Sequence, residues 1–500
     1  MRKSFMITAT IAFLLLAEGL GGGSAQTVTP LVQFSGYPTE GQDPGAALVQ
    51  GRDGYFYGTT YAGGTNDVGI LFRISSAGTL TTLWQFGSSP TDGRGPNAGL
   101  VQGSDGYFYG TTAGGGTNDV RFDGDGTVFR VSSAGTLTTL WQFGSSPTDG
   151  KNPDAGLVQG SDGYFYGTTA GGGTNFTVDI YGDTNYLGTV FKITSQGTLT
   201  TLWQFGSSPT DGRGPNAGLV QGSDGYFYGT TAGGGTNDVS FGGDGTVFRI
   251  SSAGTLTTLW QFGSSPTDGR GPNAGLVQGS DGYFYGATPE GGTNDVVDDG
   301  DGTVFRISSA GTLTTLHQFG SSPTDGIGPC GLVQGSDGYF YGTTAYGGTN
   351  DVSFGGDGTV FRISSAGTLT TLWQFGSSPT DGQDPGAALV QGSDGYFYGT
   401  TAGGGVFYDG VVFQLSVPLN PPANQIAGIE FFSVFGDTYA ALSIPSVAGE
   451  TYQLQYSNSM DPANWIDSGD PIKSIGGSLT TFDLVEPTTP QRFYRFTITP

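Results

Sequence analysis

The chain has 500 residues, of which only 12% are charged, and its 42 acidic against 17 basic residues give a formal net charge of -25. A chain this acidic repels phosphate backbones and anionic lipid surfaces, which argues against nucleic-acid binding and electrostatic membrane attachment. Glycine (94 residues) and proline (25) approach a quarter of the sequence, a level typical of disorder, but 13% aromatic residues supply the apolar burial that disordered chains lack.

In chain order, residues 1–25 read MRKSFMITATIAFLLLAEGLGGGSA: two basic residues, an apolar run through Leu16, then small residues ending at Ala25. This is the pattern of an export signal cleaved after Ala25. The run is broken by Glu18, and no later stretch is long enough to span a bilayer. The mature chain is therefore expected to carry no transmembrane segment and to work outside the cell or at its surface. Cys330 is the only cysteine, so no intrachain disulfide is expected.

From Asp53 the hexapeptide DGYFYG begins seven times, at Asp53, Asp105, Asp162, Asp224, Asp281, Asp337 and Asp394, with spacings of 52, 57, 62, 57, 56 and 57. Within one unit, Ala98 to Phe143, four runs read as strands: GLVQG, YFYGTT, GTVFRVS and TLTTLWQF. In the last, Leu137, Thr139, Trp141 and Phe143 share one face and Thr138, Leu140 and Gln142 the other, which is strand alternation. Asp105-Gly106 and Ala134-Gly135 offer tight hairpin turns, so the unit is expected to be an antiparallel meander. A lone four-stranded sheet with two apolar faces cannot bury both, so the units must pack on one another.

The ends of the array complement each other. Val28–Phe34, VTPLVQF, copies only the fourth run, while the last unit stops after its third, GVVFQLS. The count is twenty-eight strands, or seven blades of four, with the extra first strand completing the last blade. The expected fold is all-β: a seven-bladed β-propeller over residues 28–416, closed by its N-terminal strand. A Pro-rich linker, 417–425, then leads to a small immunoglobulin- or fibronectin III-like β-sandwich over 426–500, read from alternating runs between turn residues. In such a meander the long Asn/Asp loops share one face with the GSSPTDGRGPNA connections, and the short SDG and SAG turns share the other.

The recurring elements GTVF, DGxxPxAGL and SDGxxYG, in that order, make the array similar to the bacterial extracellular tandem repeat called GloVer, over most of Val28–Ser416. The resemblance implies export and repeat architecture. It brings no catalytic residues. Many such proteins end in a sorting anchor, whereas this sequence finishes at TITP, without an apolar helix or basic tail.

Candidate ligand-binding residues lie in the long loops: Asn118, Asp119, Asp123 and Asp125; Asn237, Asp238 and Asp244; Asn294, Asp295, Asp298, Asp299 and Asp301; Asn350, Asp351 and Asp357. Clustered oxygen ligands on Gly-rich loops suit calcium. Asp-Gly is equally a turn signal, and the EF-hand spacing is absent, so a turn and a cation site both stand open. Asp92, Asp149, Asp211, Asp268, Asp325 and Asp381 are expected to shape turns through bonds to the backbone. His317, the only histidine, stands where sister units have tryptophan and reads as a packing variant, and Cys330 reads as a small residue in a connection.

Near-identical units present the same groups repeatedly, whereas catalysis needs different groups converging on one substrate. The expected function is therefore non-enzymatic: an exported, monomeric binding or structural protein presenting repeated weak sites to an extracellular polysaccharide or cell-surface polymer. The alternative is a carbohydrate-active propeller enzyme, a lyase or glycosidase, which would need Arg, Tyr, His or paired carboxylates in one central pocket.

Overall fold

The computed structural model describes residues 26–118, 124–178, 184–237, 243–294, 300–322, 324–350, 356–417, 428–434, 437–446, 451–457, 466–473, 477–485 and 493–499. The described elements are all β, and among them no helix is long and apolar enough to cross a membrane. The chain forms repeated four-stranded antiparallel sheets of propeller-like type.

In the unit that follows Ala98 the strands are Val101–Gln102, Phe108–Thr112, Thr127–Val131 and Leu137–Gln142, hydrogen-bonded in that order. The sequence reads the first strand as GLVQG, but only Val101 and Gln102 pair, because Gly99 is taken up in contact with the neighbouring unit and Gly103 in the turn. The second strand is buried along its whole length and the third everywhere but Arg130, so neither shows a solvent face. Gly110 in the second strand is obligatory: a Cβ there would lie 2.6 Å from both Leu100 Cδ2 and Phe129 Cζ. The third and fourth strands slip register between Val128 and Phe129, a bulge repeated in every unit's corresponding pair.

The core lies between sheets. Tyr109 stacks on Phe165 of the next unit at 3.8 Å between ring centroids, and Phe143 meets Phe191 edge-on at 5.3 Å. With Val128, Leu157 and Ile193 they form one of seven buried clusters, each assembled from adjoining units. Repetition is thus the means of burial: each unit supplies half of two cores.

The strand Thr27–Gln33 pairs antiparallel with Val411–Ser416 at the other end of the array, from Thr27 opposite Ser416 to Gln33 opposite Val411. The first and last units also meet through Phe56 and Tyr398, 4.0 Å between centroids. Beyond the array, Gly428–Val434, Asp437–Ser446 and Gly477–Val485 form one antiparallel sheet. Thr451–Ser457 pairs with Ile466–Asp467, Ile472–Lys473 and Phe493–Thr499 in another.

Candidate ligand clefts on the loop-rich face

The second-to-third-strand loops and the connections between units do meet on one face. Arg94, in a connection, exchanges backbone hydrogen bonds with Gly114 of the following unit's loop at 2.9 and 3.1 Å. The same bridge recurs at Lys151 with Gly171, Arg213 with Gly233, Arg270 with Glu290 and Gln383 with Gly403. Glycine is required there, since a Cβ on Gly115 would lie 2.5 Å from the Cα of Gly93.

Four of the loop residues singled out from sequence turn out to fasten the loop. The Asn118 amide donates to the carbonyls of Gln142 and Phe143, each at 2.9 Å, and Asn237, Asn294 and Asn350 make the corresponding pairs. Asp125, Asp244, Asp301 and Asp357 lie at the entry to the third strand. Asp125 pairs with Lys151 of the next unit at 3.0 Å, Asp244 with Arg270 at 2.9 Å, and Asp357 accepts from the Gln383 amide at 3.0 Å. Their other oxygens press against the glycine ending the fourth strand: a Cβ on Gly144, Gly263 or Gly376 would come within 2.0 Å of it, and one on Gly320 within 1.9 Å of Asp301. The carboxylates of Asp125, Asp244 and Asp357 join units.

Asp119, Asp123, Asp238, Asp295, Asp298, Asp299 and Asp351 lie outside the described residues. Among the described residues no three His, Cys, Asp or Glu side chains converge as a metal site would require. The calcium expectation therefore falls on the loop aspartates outside the description.

The connection aspartates do more than shape turns. Asp92 accepts from the Gly87 and Ser88 N–H groups at 3.2 and 3.1 Å and from the Trp84 indole at 3.1 Å. The indole bond repeats at Trp141 with Asp149, Trp203 with Asp211 and Trp260 with Asp268. Sequence reading missed it, although the constant eight-residue spacing from Trp to Asp was visible. Burial pushes Asp92 and Asp211 above the usual carboxylate range, against the lowering effect of these donors. His317 takes the tryptophan position opposite Val304, and its Nε2 lies 3.2 Å from Asp325 Oδ2. Ser321 Oγ donates to that same oxygen at 2.6 Å. In a catalytic triad the imidazole sits between hydroxyl and carboxylate. Here the carboxylate sits between, and Ser145, Ser264 and Ser377 make the same bond in units that have tryptophan.

Clefts open between units on this face. One of about 360 Å³ is lined by Gly87, Ser89, Pro90, Gly93, Arg94 and the glycines 115, 116 and 124. Its counterpart near the end of the array, about 320 Å³, is lined by Ser378, Pro379, Gln383, Asn350, Asp357 and Tyr408, among others. A third, about 450 Å³, lies along the fourth strand beside Thr91, Asn118, Thr139, Trp141 and Ser145. Backbone amides, hydroxyls and the aromatic surfaces of Trp141 and Tyr408 equip them to hold a polyhydroxylated ligand. Neither inter-unit cleft pairs an acid with a base at a nucleophile.

The edges formed by the first strands are equally spare. A Cβ on Gly99 would lie 3.0 Å from the Ala47 carbonyl oxygen, one on Gly156 3.0 Å from that of Gly99, one on Gly218 3.1 Å from that of Gly156, and one on Gly275 3.4 Å from that of Gly218. At the far end of these edges a belt of amides and hydroxyls links units: Ser104 N–H donates to Gln159 Oε1 at 2.8 Å, and the pattern returns to its start where Ser393 N–H donates to Gln50 Oε1 at 2.9 Å.

Comparison with known proteins agrees with the repeat. The model of the Gloeobacter/Verrucomicrobia repeat matches residues 22–181, 176–351 and 294–426. No curated protein matches. Among solved structures, an extracellular domain from B. thetaiotaomicron is similar at a TM-score of 0.48 with 11% identity, covering 95% of this chain. This chain spans 59% of the length of that protein. An ulvan lyase of polysaccharide lyase family 25 is similar at 0.45 with 10% identity, covering 77% of this chain and 95% of its own. A puromycin hydrolase is similar at 0.43 with 13% identity, covering 81% and 58%.

Proposed function

The chain belongs to the Gloeobacter/Verrucomicrobia repeat family, and from that premise we propose that it is an exported, non-catalytic binding protein whose loop-rich face engages a surface or extracellular polysaccharide through repeated weak sites. Its working body is a seven-bladed propeller over residues 28–416, closed by the N-terminal strand and carried beside a small β-sandwich over 426–500. Closure is supported by the pairing of Thr27–Gln33 with Val411–Ser416 and by the Gln50–Ser393 and Phe56–Tyr398 contacts.

The observation that carries the reading is the edge that would face the axis. It is built from Ala47, Gly99, Gly156, Gly218 and Gly275, each packed on the next. Such a lining brings no acid, base or electrophile to a common point, whereas inter-unit clefts open on the loop-rich face at both the Arg94 and the Gln383 junctions. Several weak sites on one rigid disc gain affinity when a polymer engages them together.

The test is binding of the mature chain to oligosaccharides of graded length and to their parent polymers. Affinity is expected to climb with chain length well beyond the span of one cleft, with the polysaccharide recovered intact. Release of new reducing ends or unsaturated products would overturn the reading, as would failure to bind any glycan in a broad panel.

A further inference from the structure

On the loop-rich face exposed aromatics cluster where the sixth, seventh and first units adjoin. Here the Asn-Asp loop is replaced by Val406, Phe407 and Tyr408, and the chain entering the first unit adds Tyr37. They are 58%, 55%, 74% and 63% exposed. The two segments meet: Val406 N–H donates to Gln33 Oε1 at 2.8 Å, and Asp43 N–H to the Asp409 carbonyl at 3.1 Å. Tyr408 also lines the 320 Å³ cleft with Asn350, Asp357, Ser378 and Gln383. Clustered aromatic surface left to water marks a binding surface.

The charge of the sector selects its occupant. After the TDG turn four units carry Arg94, Lys151, Arg213 and Arg270 and one carries Ile327, whereas this sector carries two neutral amides, Gln383 and Gln42. Of the charged residues in 26–72 and 364–417, Arg52, Asp53 and Asp394 lie among the SDG turns of the other face, which leaves Glu40, Asp43, Asp67, Asp381, Asp384 and Asp409 and no cation on this one. Asp43 and Asp384 sit at φ 59° and 54°, in the left-handed position that Gly95, Gly214 and Gly271 fill elsewhere. The backbone ties these acids to the others of the sector: Asp384 N–H donates to the Asp357 carbonyl at 3.2 Å as Asp43 N–H does to that of Asp409. Burial, then the charges of Asp357 and Asp43, push the Asp384 carboxyl above its ordinary range.

We propose that this sector binds a protonated amino sugar of a glycan, with the sugar ring stacked on Tyr408 or Phe407 and its ammonium drawn to Asp357, Asp384 and Asp409. Apolar ring faces suit the aromatics, and the hydroxyls suit Ser378 and the Gln383 amide. The inference rests on the reading of this face as glycan-binding and names the class of unit that gives it specificity.

The experiment titrates the full mature chain with a glucosamine hexamer and with its fully N-acetylated counterpart, at low and high salt. The glucosamine oligomer is expected to bind at least about tenfold more tightly, and high salt should weaken it more than the acetylated one. Tyr408→Ala and Asp384→Asn should each remove about tenfold or more, while Ser133→Ala, at an exposed position in a SAG turn of the other face, leaves binding unchanged. Asn152 occupies the same left-handed position at φ 52°, so Asp384→Asn keeps the backbone. Equal affinity for the two oligomers, unchanged binding by both sector variants, or tighter binding of an oligolysine peptide would overturn the inference. The first two results leave glycan binding elsewhere on the face standing; absence of binding to every glycan removes both readings.

Discussion

Thr400 in the last unit donates its hydroxyl hydrogen to the carbonyl oxygen of Ala46 at 3.0 Å, across 354 positions of sequence. Thr59, Thr111, Thr168, Thr230 and Thr343 make the same bond to Ala98, Ala155, Ala217, Ala274 and Ala387, each one unit further along the chain. The remaining unit has Ala287 in place of the threonine. The contact between last and first units therefore uses the chemistry of the five other junctions that keep the threonine.

Removal of Thr27–Gln33 strips the outer partner from Val411–Ser416 and leaves a buried strand as an open edge. The truncated protein is expected to melt at lower temperature and to aggregate on concentration. An unchanged Tm and elution volume would sink closure by this strand. Phe34→Ala, which keeps the strand but empties the site facing Phe72 at 5.3 Å, should cost about 3–5 kcal/mol.

The Asp–cation pairs between units differ from junction to junction, and the last of them forecasts a substitution. Gln383 satisfies Asp357 with a neutral amide at 3.0 Å, so Arg270→Gln should satisfy Asp244 in the same way. Arg270 is part exposed and its charge is screened, so the change is expected to stay within about 1 kcal/mol in urea unfolding. Arg270→Ala, which leaves the buried Asp244 oxygen without this donor, should cost about 1–3 kcal/mol. Equal effects of the two variants would remove the hydrogen-bond explanation.

What the sequence shows of this fold follows from what repeats. DGYFYG at near-constant spacing and the complementary ends at Val28 and Ser416 make the four-stranded unit and the pairing of the termini legible, because both are one-dimensional signals. The roles of Asn118 and Asp125 were not legible. Their partners Gln142 and Lys151 stand 24 and 26 positions away, and only the folded loop shows that the polar groups face the protein. The aromatic sector at Tyr37 and Tyr408 was hidden for a similar reason: its residues lie at opposite ends of the array and come together only through the junction of the first and last units.

His317→Trp would restore the indole that Asp92 and Asp211 accept from, and Asp325 reports the change. Burial raises the pKa of Asp325, but the His317 and Ser321 hydrogen bonds outweigh it and hold the carboxyl below its ordinary value. A lowered folded pKa contributes stability that is present above the unfolded value and lost as pH falls through the folded one. In Asp92 and Asp211, where tryptophan is the partner, burial prevails and the direction is reversed. In the variant, Asp325 should titrate higher than in the parent protein in a carboxyl NMR experiment, and the acid loss it contributes should shrink. A pKa that stays low after substitution would show that Ser321 and the turn, rather than the imidazole, set it.

The alkaline limit of the fold is expected to follow from its buried phenols. Tyr57, Tyr109, Tyr228, Tyr285 and Tyr398 are fully buried and donate to Asp53, Asp105, Asp224, Asp281 and Asp394 at 2.6 to 2.7 Å. Burial first, then the hydrogen bond to each carboxylate, pushes these phenols up to about 12. Tyr166 and Tyr341 are pushed the same way. A raised folded pKa gives stability that is complete below the unfolded value of about 10 and is lost as pH climbs toward the folded one. The urea midpoint should therefore fall steeply between about pH 10 and about pH 12, with phenolate absorbance rising at unfolding rather than before it. Replacing Tyr57, Tyr109 and Tyr228 together by phenylalanine removes three of these ionisations and should flatten the alkaline slope, at the neutral-pH cost of three hydrogen bonds, about 1 kcal/mol each. A slope unchanged by the triple substitution would assign the alkaline limit to other groups.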